Sequence, residues 1–207
     1  EGRTEAFVSV DTEDVSPEDE AFYAGLITRH GAAALVSTDG DGDRPLLVDE
    51  LGRFHRGDIL GLVTAEFLGA DFAAVPVSAT DAVDRRLRAL GDSGSPACEL
   101  RRMRIGSPHV IAAMREGVAA GRRRVVGWEA NGGFLTASRF PFGKGRLSAL
   151  PTRDAVLPLL SVLLQAAARQ VPVSRLFDDL PRRATRAGLL DNFPPEHSKI
   201  LLAVLGG

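Results

Sequence analysis

The 207 residues carry 25 Lys plus Arg against 27 Asp plus Glu, with 44% apolar residues, one cysteine, 22 glycines and 12 prolines. Such a chain is too apolar for a disordered segment, is long enough for one or two domains, and creates no net field to attract nucleic acid or an anionic membrane. With Cys98 alone no disulfide framework forms, which points to the cytoplasm. No secretory leader is visible, and the most apolar run, residues 156 to 168, is broken by Ser161 and Gln165 and reads as a buried helix.

In chain order, residues 6 to 10 read as a strand, followed by Ser16-Pro17-Glu18-Asp19, a serine cap with proline at the first helical position and acids in the first turn. That helix places Phe22 and Leu26 on one face and stops at His30-Gly31. Residues 32 to 36 are an apolar run predicted as a strand buried on both sides, and Leu46-Leu47-Val48 resumes as strand after an acidic loop. Asp58 is placed to cap a helix whose Ile59, Leu60, Val63 and Phe67 keep the 3.6-residue period, before a strand at 72 to 77.

A polar helix at 80 to 89 and a loop at 91 to 96 precede a strand at 100 to 104, and Ser107-Pro108 repeats the cap-plus-proline signal for a helix carrying Ile111, Met114 and Val118 on one side. After Gly121, Val125-Val126 leads into a glycine-bearing loop. Thr152 is read as the cap of a helix to about Gln170 with Pro158 in its first turns; a strand at 185 to 190 and a helix at 196 to 204 close the chain. The alternation predicts an α/β fold of mixed, largely parallel sheets flanked by helices, divided as 1–54, 55–180 and 181–207.

The most informative stretch is Ser37-Thr38-Asp39-Gly40-Asp41-Gly42-Asp43-Arg44-Pro45. Three carboxylates at i, i+2 and i+4 of an extended segment project to one side, their mutual repulsion is relieved by a divalent cation, and all-oxygen donors favour magnesium, calcium or manganese. A solvated acidic turn is the plain alternative. An EF-hand loop, with Glu50 at its twelfth position, is opposed by Arg44 where that loop needs glycine. The histidines, His30, His55, His109 and His197, lack metal-ligand spacing and read as surface or helix-terminal, Arg122-Arg123-Arg124 reads as a helix terminus, and acids near Cys98 argue against a nucleophilic thiol.

The run Asp39 to Arg44 after a strand resembles the metal loop of the α-D-phosphohexomutases, the phosphomannomutase and phosphoglucomutase family. Arg56-Gly57-Asp58-Ile59-Leu60-Gly61, Arg104-Ile105-Gly106-Ser107-Pro108-His109-Val110, Gly127-Trp128-Glu129-Ala130-Asn131-Gly132-Gly133 and Leu150-Pro151-Thr152-Arg153-Asp154 are similar to further stretches of that family, in order and spacing.

The resemblance implies the end of a second domain, a whole third and the start of a fourth, from an isomerase that moves a phosphoryl group between the 1- and 6-positions of a hexose phosphate through a phosphoserine and a bisphosphate. It implies Mg2+ on Asp39, Asp41 and Asp43, a catalytic Arg44 gripping phosphate or sugar oxygens, and Glu129 accepting from sugar hydroxyls, with Asn131 where a serine is usual. Arg104 and Ser107 fall near the sugar, and Ser78 near a position often held by lysine. The expected partners are a hexose phosphate and the remaining enzyme domains, with no nucleic acid and no membrane. No counterpart of the phosphoserine loop or the phosphate-binding loop is found in these residues, so the chain alone is expected to be inactive. A non-catalytic divalent-cation-binding α/β module is the alternative.

Overall fold

The computed structural model describes residues 10–94, 97–183, 185, 188 and 192–205. The expected strands at 6 to 10 and 185 to 190, and the end of the loop at 91 to 96, lie mostly or partly outside the described residues. Helix α1, Pro17–His30, begins at a complete capping box: Ser16 Oγ accepts from the Asp19 amide while Asp19 accepts from the Ser16 amide. Gly31, at φ 56°, ends it in the left-handed conformation. Phe22 is 61% exposed, contrary to the expected apolar face; Ile27 supplies the burial instead, packing with Leu46 and Val48.

Strands β1, Ala34–Thr38, β2, Pro45–Asp49, and β3, Phe54–His55, form an antiparallel sheet in that order. The strand expected to be buried on both sides is β1, yet it is an edge strand with Val36 45% exposed. The doubly buried strand is β2: Leu46 and Val48 face α1, while Leu47 joins the main core. An edge strand has only one pairing neighbour, and composition does not reveal which of two apolar runs lies inside.

The second sheet contains β4, Phe72–Pro76, β5, Glu99–Met103, β6, Val125–Trp128, β7, Phe134–Thr136, and β10, Leu150–Asp154, ordered β10-β7-β6-β4-β5. Parallel pairing is confined to β5, β4 and β6; β7 and β10 are antiparallel, and β8, Phe140–Phe142, with β9, Gly145–Leu147, makes a separate hairpin. Helices α2, Gly57–Leu68, α3, Ala82–Asp92, and α5, Val156–Arg169, share one core with Ala73, Val75 and Trp128, while α4, Ser107–Ala119, packs on the other face against Phe72 and Ala74. Alternate residues of β4 thus serve opposite layers. A 3-10 turn at Val173–Leu176 and helix α6, Pro195–Leu205, follow. The fold class is α/β with a mixed sheet flanked by helices, as the sequence predicts, but the expected largely parallel pairing is corrected: among the described residues only β4–β5 and β4–β6 are parallel and the other strand pairs are antiparallel.

Five local expectations are corrected. Arg56 is the N-cap of α2, and Asp58 lies wholly buried inside the helix, where Oδ2 accepts from the Thr80 amide at 2.8 Å. Ser107 is the first residue of α4 and makes no capping hydrogen bond; Gly106, at φ 117°, precedes it. On α4 the buried side is Val110, Ala113, Met114 and Gly117, leaving Val118 44% exposed. Thr152 belongs to β10, and Asp154 accepts from the Val156 and Leu157 amides at the start of α5. Pro158 then falls in the first turn, where no intrahelical amide partner is required. The outer stripe of α5, Val156, Leu160 and Leu164, is exposed, so the apolar run is a half-buried helix. Strands β7, β8 and β9, within residues 134 to 147, have no counterpart among the expected elements, because three-residue strands carry too little periodicity to be read.

Candidate functional site

The acidic loop is a tight connection between β1 and β2 rather than an extended segment. The Asp39 amide donates to the Arg44 carbonyl, the Gly42 amide donates to the Asp39 carbonyl, and Asp39 Oδ1 accepts from the Asp43 and Arg44 amides at 3.1 Å. Gly42 takes φ 76°, which a side chain would strain. The turn gathers what the spacing anticipated: one carboxylate oxygen from each of Asp39, Asp41 and Asp43 lies within 4.8 Å of the others. Asp43 Oδ1 is buried without a hydrogen-bond partner, 3.6 Å from the likewise unpartnered Nε of Arg44. Three hard oxygen donors with an unsatisfied buried carboxylate oxygen among them fit an oxygen-preferring divalent cation. Arg44 also stands 3.5 Å from Asp39 Oδ2, so its guanidinium leans on the carboxylates of its own loop.

Glu129 follows the last residue of β6 and turns back at once. Its amide donates to the Gly133 carbonyl, Gly132 donates to the Glu129 carbonyl, and Asn131 Oδ1 accepts from the Gly133 amide at 3.1 Å. Trp128, before it, is fully buried and donates Nε1–H to the Asp58 carbonyl, so it is core rather than site wall. The carboxylate of Glu129 is only 6% exposed as a residue and would be costly to bury unpaired.

Its partner is Arg153, at the end of β10: Nη1 donates to Glu129 Oε2 at 3.3 Å, and Nη2 lies 2.5 Å from Asp43 Oδ2. One guanidinium therefore bridges the acidic loop and the glutamate turn. Burial pulls the Arg153 pKa down, but Asp43 and Glu129 outweigh it and hold the group above its ordinary value. Arg153 stands in the Leu150 to Asp154 stretch, where Thr152 beside it suits a helix cap, so no local pattern marks Arg153 as a site residue. Strand pairing of residues 150 to 154 was the missing signal.

The remaining assignments stand apart. Arg104 and Ser107 follow β5, which is separated from β6 by β4, so roughly 10 Å of sheet lies between their strand and that of Glu129. They share with Glu129 and the exposed Ser78 the C-terminal end of the parallel strands. Arg104 is exposed and makes no ion pair among the described residues. The loop bearing Ser78 is held by Arg102, whose guanidinium donates to the carbonyls of Pro76, Ala79 and Thr80.

Two other expectations change. Glu50 is no ligand of the loop, because its Oε2 accepts from the Ser174 amide at 3.1 Å, which removes the EF-hand reading. His55 is not a surface histidine: it stacks on Phe177 at 3.6 Å between ring centroids, and its Nε2 lies 2.9 Å from Oδ2 of the buried Asp49. Burial lowers the imidazole pKa below its ordinary value despite that carboxylate. Burial alone would raise the Asp49 pKa, but hydrogen bonds from His55 and from the Arg53 amide and side chain bring it below the usual carboxylate value. The other three histidines are exposed. Cys98 has its pKa pushed up to about 12, by burial first and then by Asp71, which agrees with the expected inert thiol.

An α/β unit with a mixed sheet thus sets an acidic triad and a glutamate turn about one arginine. The chain belongs to the phosphoglucomutase/phosphomannomutase family: residues 56–184 match that family's alpha/beta/alpha domain III. It is 40% identical over 204 residues to a phosphomannomutase of Sinorhizobium fredii (strain NBRC 101917 / NGR234), covering 99% of this chain and 41% of that protein. It is 39% identical over 200 residues to a phosphomannomutase of Salmonella muenchen, covering 97% of this chain and 40% of the relative. The fold is shared with a phosphoglucomutase/phosphomannomutase family protein from Burkholderia thailandensis, at TM-score 0.60 and 21% identity over 84% of this chain and 34% of that one. The chain thus spans about two fifths of the length of the curated relatives it matches. No helix among the described residues is long and apolar enough to cross a membrane.

Proposed function

We propose that this chain is the cation- and sugar-binding part of a cytoplasmic hexose phosphate mutase, which moves a phosphoryl group reversibly between the 1- and 6-positions through a serine phosphate and a bisphosphorylated sugar. The observation that carries the reading is the shared guanidinium: Arg153 joins Asp43 of the acidic triad to Glu129 of the turn. The names of the similar proteins, phosphomannomutases and phosphoglucosamine mutases, support the same chemistry.

In this reading Asp39, Asp41 and Asp43 would hold Mg2+, whose charge, when bound, stabilises oxygens of the phosphoryl group in transfer. Arg44 grips phosphate or sugar oxygens through its planar, two-pronged guanidinium. Glu129 accepts hydrogen bonds from sugar hydroxyls through the oxygen that Arg153 does not engage, and the buried pairing with Arg153 fixes its direction. Asn131, Arg104 and Ser107 complete the sugar's surroundings. We assign 1–54 to the end of a second domain, 55–180 to a third and 181–207 to the start of a fourth, the first junction falling within β3. The serine phosphate and the second phosphate-binding loop come from the remaining domains of the full-length enzyme.

The test is an assay of the full-length product for 1-phosphate to 6-phosphate conversion of mannose, glucose and glucosamine phosphates. Glu129→Ala is expected to lower turnover on the order of a hundredfold or more while leaving serine phosphorylation measurable. Wild-type protein inactive on all three sugars would overturn the reading, and an unchanged Glu129→Ala variant would remove Glu129 from the sugar site.

A further inference from the structure

A recess lies at the opposite end of the sheet from Glu129. Ala70, Cys98 and Arg124 stand just before β4, β5 and β6, and with the C-terminal parts of α2, α3 and α5 they enclose a cavity of about 430 Å3. That volume suits a small organic molecule. Its broad walls are apolar, formed by Phe67, Leu87 and Leu90 among others. Its polar members are unevenly satisfied. Glu66 is neutralised by a two-pronged hydrogen bond from Arg86, at 2.9 and 3.1 Å. The exposed Arg124 guanidinium donates once, to the Gly69 carbonyl at 3.4 Å, while the Arg124 amide donates to Asp71 Oδ1 at 2.9 Å, and the exposed Arg169 has no ion-pair partner among the described residues.

Gln165 lines the same cavity, is only 7% exposed, and holds a buried Nε2 with no hydrogen-bond partner. A buried amide donor left unpaired costs free energy that a bound acceptor recovers. The terminal torsion of glutamine is broad, so the amide can turn toward such an acceptor without leaving its rotamer. None of these residues takes part in the phosphoryl-transfer reading.

We infer that this cavity is a separate small-molecule site for an aromatic carboxylate bearing a further oxygen acceptor. The ring packs on Phe67, Leu87 and Leu90, the carboxylate meets the guanidiniums of Arg124 and Arg169, and the acceptor takes the Gln165 amide. Two cations beside a neutralised Glu66 select an anion, and the apolar walls select a flat body over a sugar phosphate.

The probe is 6-hydroxy-2-naphthoate, titrated calorimetrically into the 207-residue chain beside 2-naphthoate, which lacks the acceptor, and 6-hydroxy-2-naphthamide, which lacks the charge. Binding below about 1 mM is expected, weakened about tenfold by loss of either group, by Arg169→Gln and by Gln165→Leu. Gln165→Leu should also raise the thermal midpoint of the free protein, which separates loss of the site from loss of the fold. No binding at about 5 mM, equal affinity for the amide, or full affinity in both folded variants overturns the assignment.

Discussion

Gly57 and Gly132 lie backbone against backbone: a Cβ on Gly57 would stand 2.2 Å from the Gly132 nitrogen, and one on Gly132 would stand 2.8 Å from the Gly57 Cα. The same Gly132 position would also meet Pro45, the residue after Arg44, at 2.8 Å. The start of α2, the glutamate turn and the exit of the acidic loop are keyed together by this missing atom. Gly57→Ala is therefore expected to destabilise the chain by about 1–3 kcal/mol in urea unfolding, because backbone cannot step aside as a flexible side chain can. Gly25→Ala is the control. A Cβ there meets nothing within 4 Å inside α1, and the substitution should add about 0.5–1 kcal/mol. Equal effects at the two positions would refute the packing argument.

Arg153→Ala strips the partner from the buried Glu129 and from one oxygen of Asp43. Leaving carboxylates uncompensated in a part-buried site should cost about 1–3 kcal/mol. A double-mutant cycle with Glu129→Gln checks the origin of the loss. Coupling near zero would mean that the two side chains do not act on each other.

Asp41 is the exposed member of the triad, and its carboxylate takes no hydrogen bond among the described residues. Asp41→Ala should thus leave the metal-free midpoint in place and abolish the rise that magnesium produces in the parent. At magnesium about tenfold above its dissociation constant that rise corresponds to about 1.4 kcal/mol. A parent midpoint indifferent to magnesium, manganese and calcium alike would sink the cation assignment.

The Asp49–His55 pair makes stability fall on the acid side. Both groups have folded pKa values below their ordinary ones, so the unfolded chain binds the more protons and stability rises with pH across each window. The contribution is complete above about pH 6.5, declines below it as the unfolded imidazole protonates, and falls again as Asp49 is forced to take a proton below the ordinary carboxylate range. Thermal midpoints between pH 7 and 5 should drop in the parent and flatten in His55→Gln, which keeps a donor for Asp49 without the titration. A slope identical in both proteins would show that other groups set it.

Ser16-Pro17 and His30-Gly31 bounded α1 from sequence alone, because caps act within a few residues of the chain. The alternating apolar runs likewise announced β2, β4 and the α/β class. Asp58 and Thr152 misled for the opposite reason. Each carries a side chain suited to capping, but the Thr80 amide holds Asp58 from 22 residues away, and the pairing of β10 with β7, Leu150 against Thr136 and Asp154 against Phe134, draws Thr152 into a strand.

At the candidate site the division is the same. The clustering of Asp39, Asp41 and Asp43 was written in the chain, since residues two apart in a glycine-spaced loop cannot be far from one another. The meeting of that loop with Glu129 was not, because Arg153 reaches it across an antiparallel strand that no local pattern marks, and the close approach of Gly57 to Gly132 depends on how α2 packs. Short-range sterics and spacing determined the acidic cluster; only long-range strand order and packing decided that one arginine ties it to a buried glutamate.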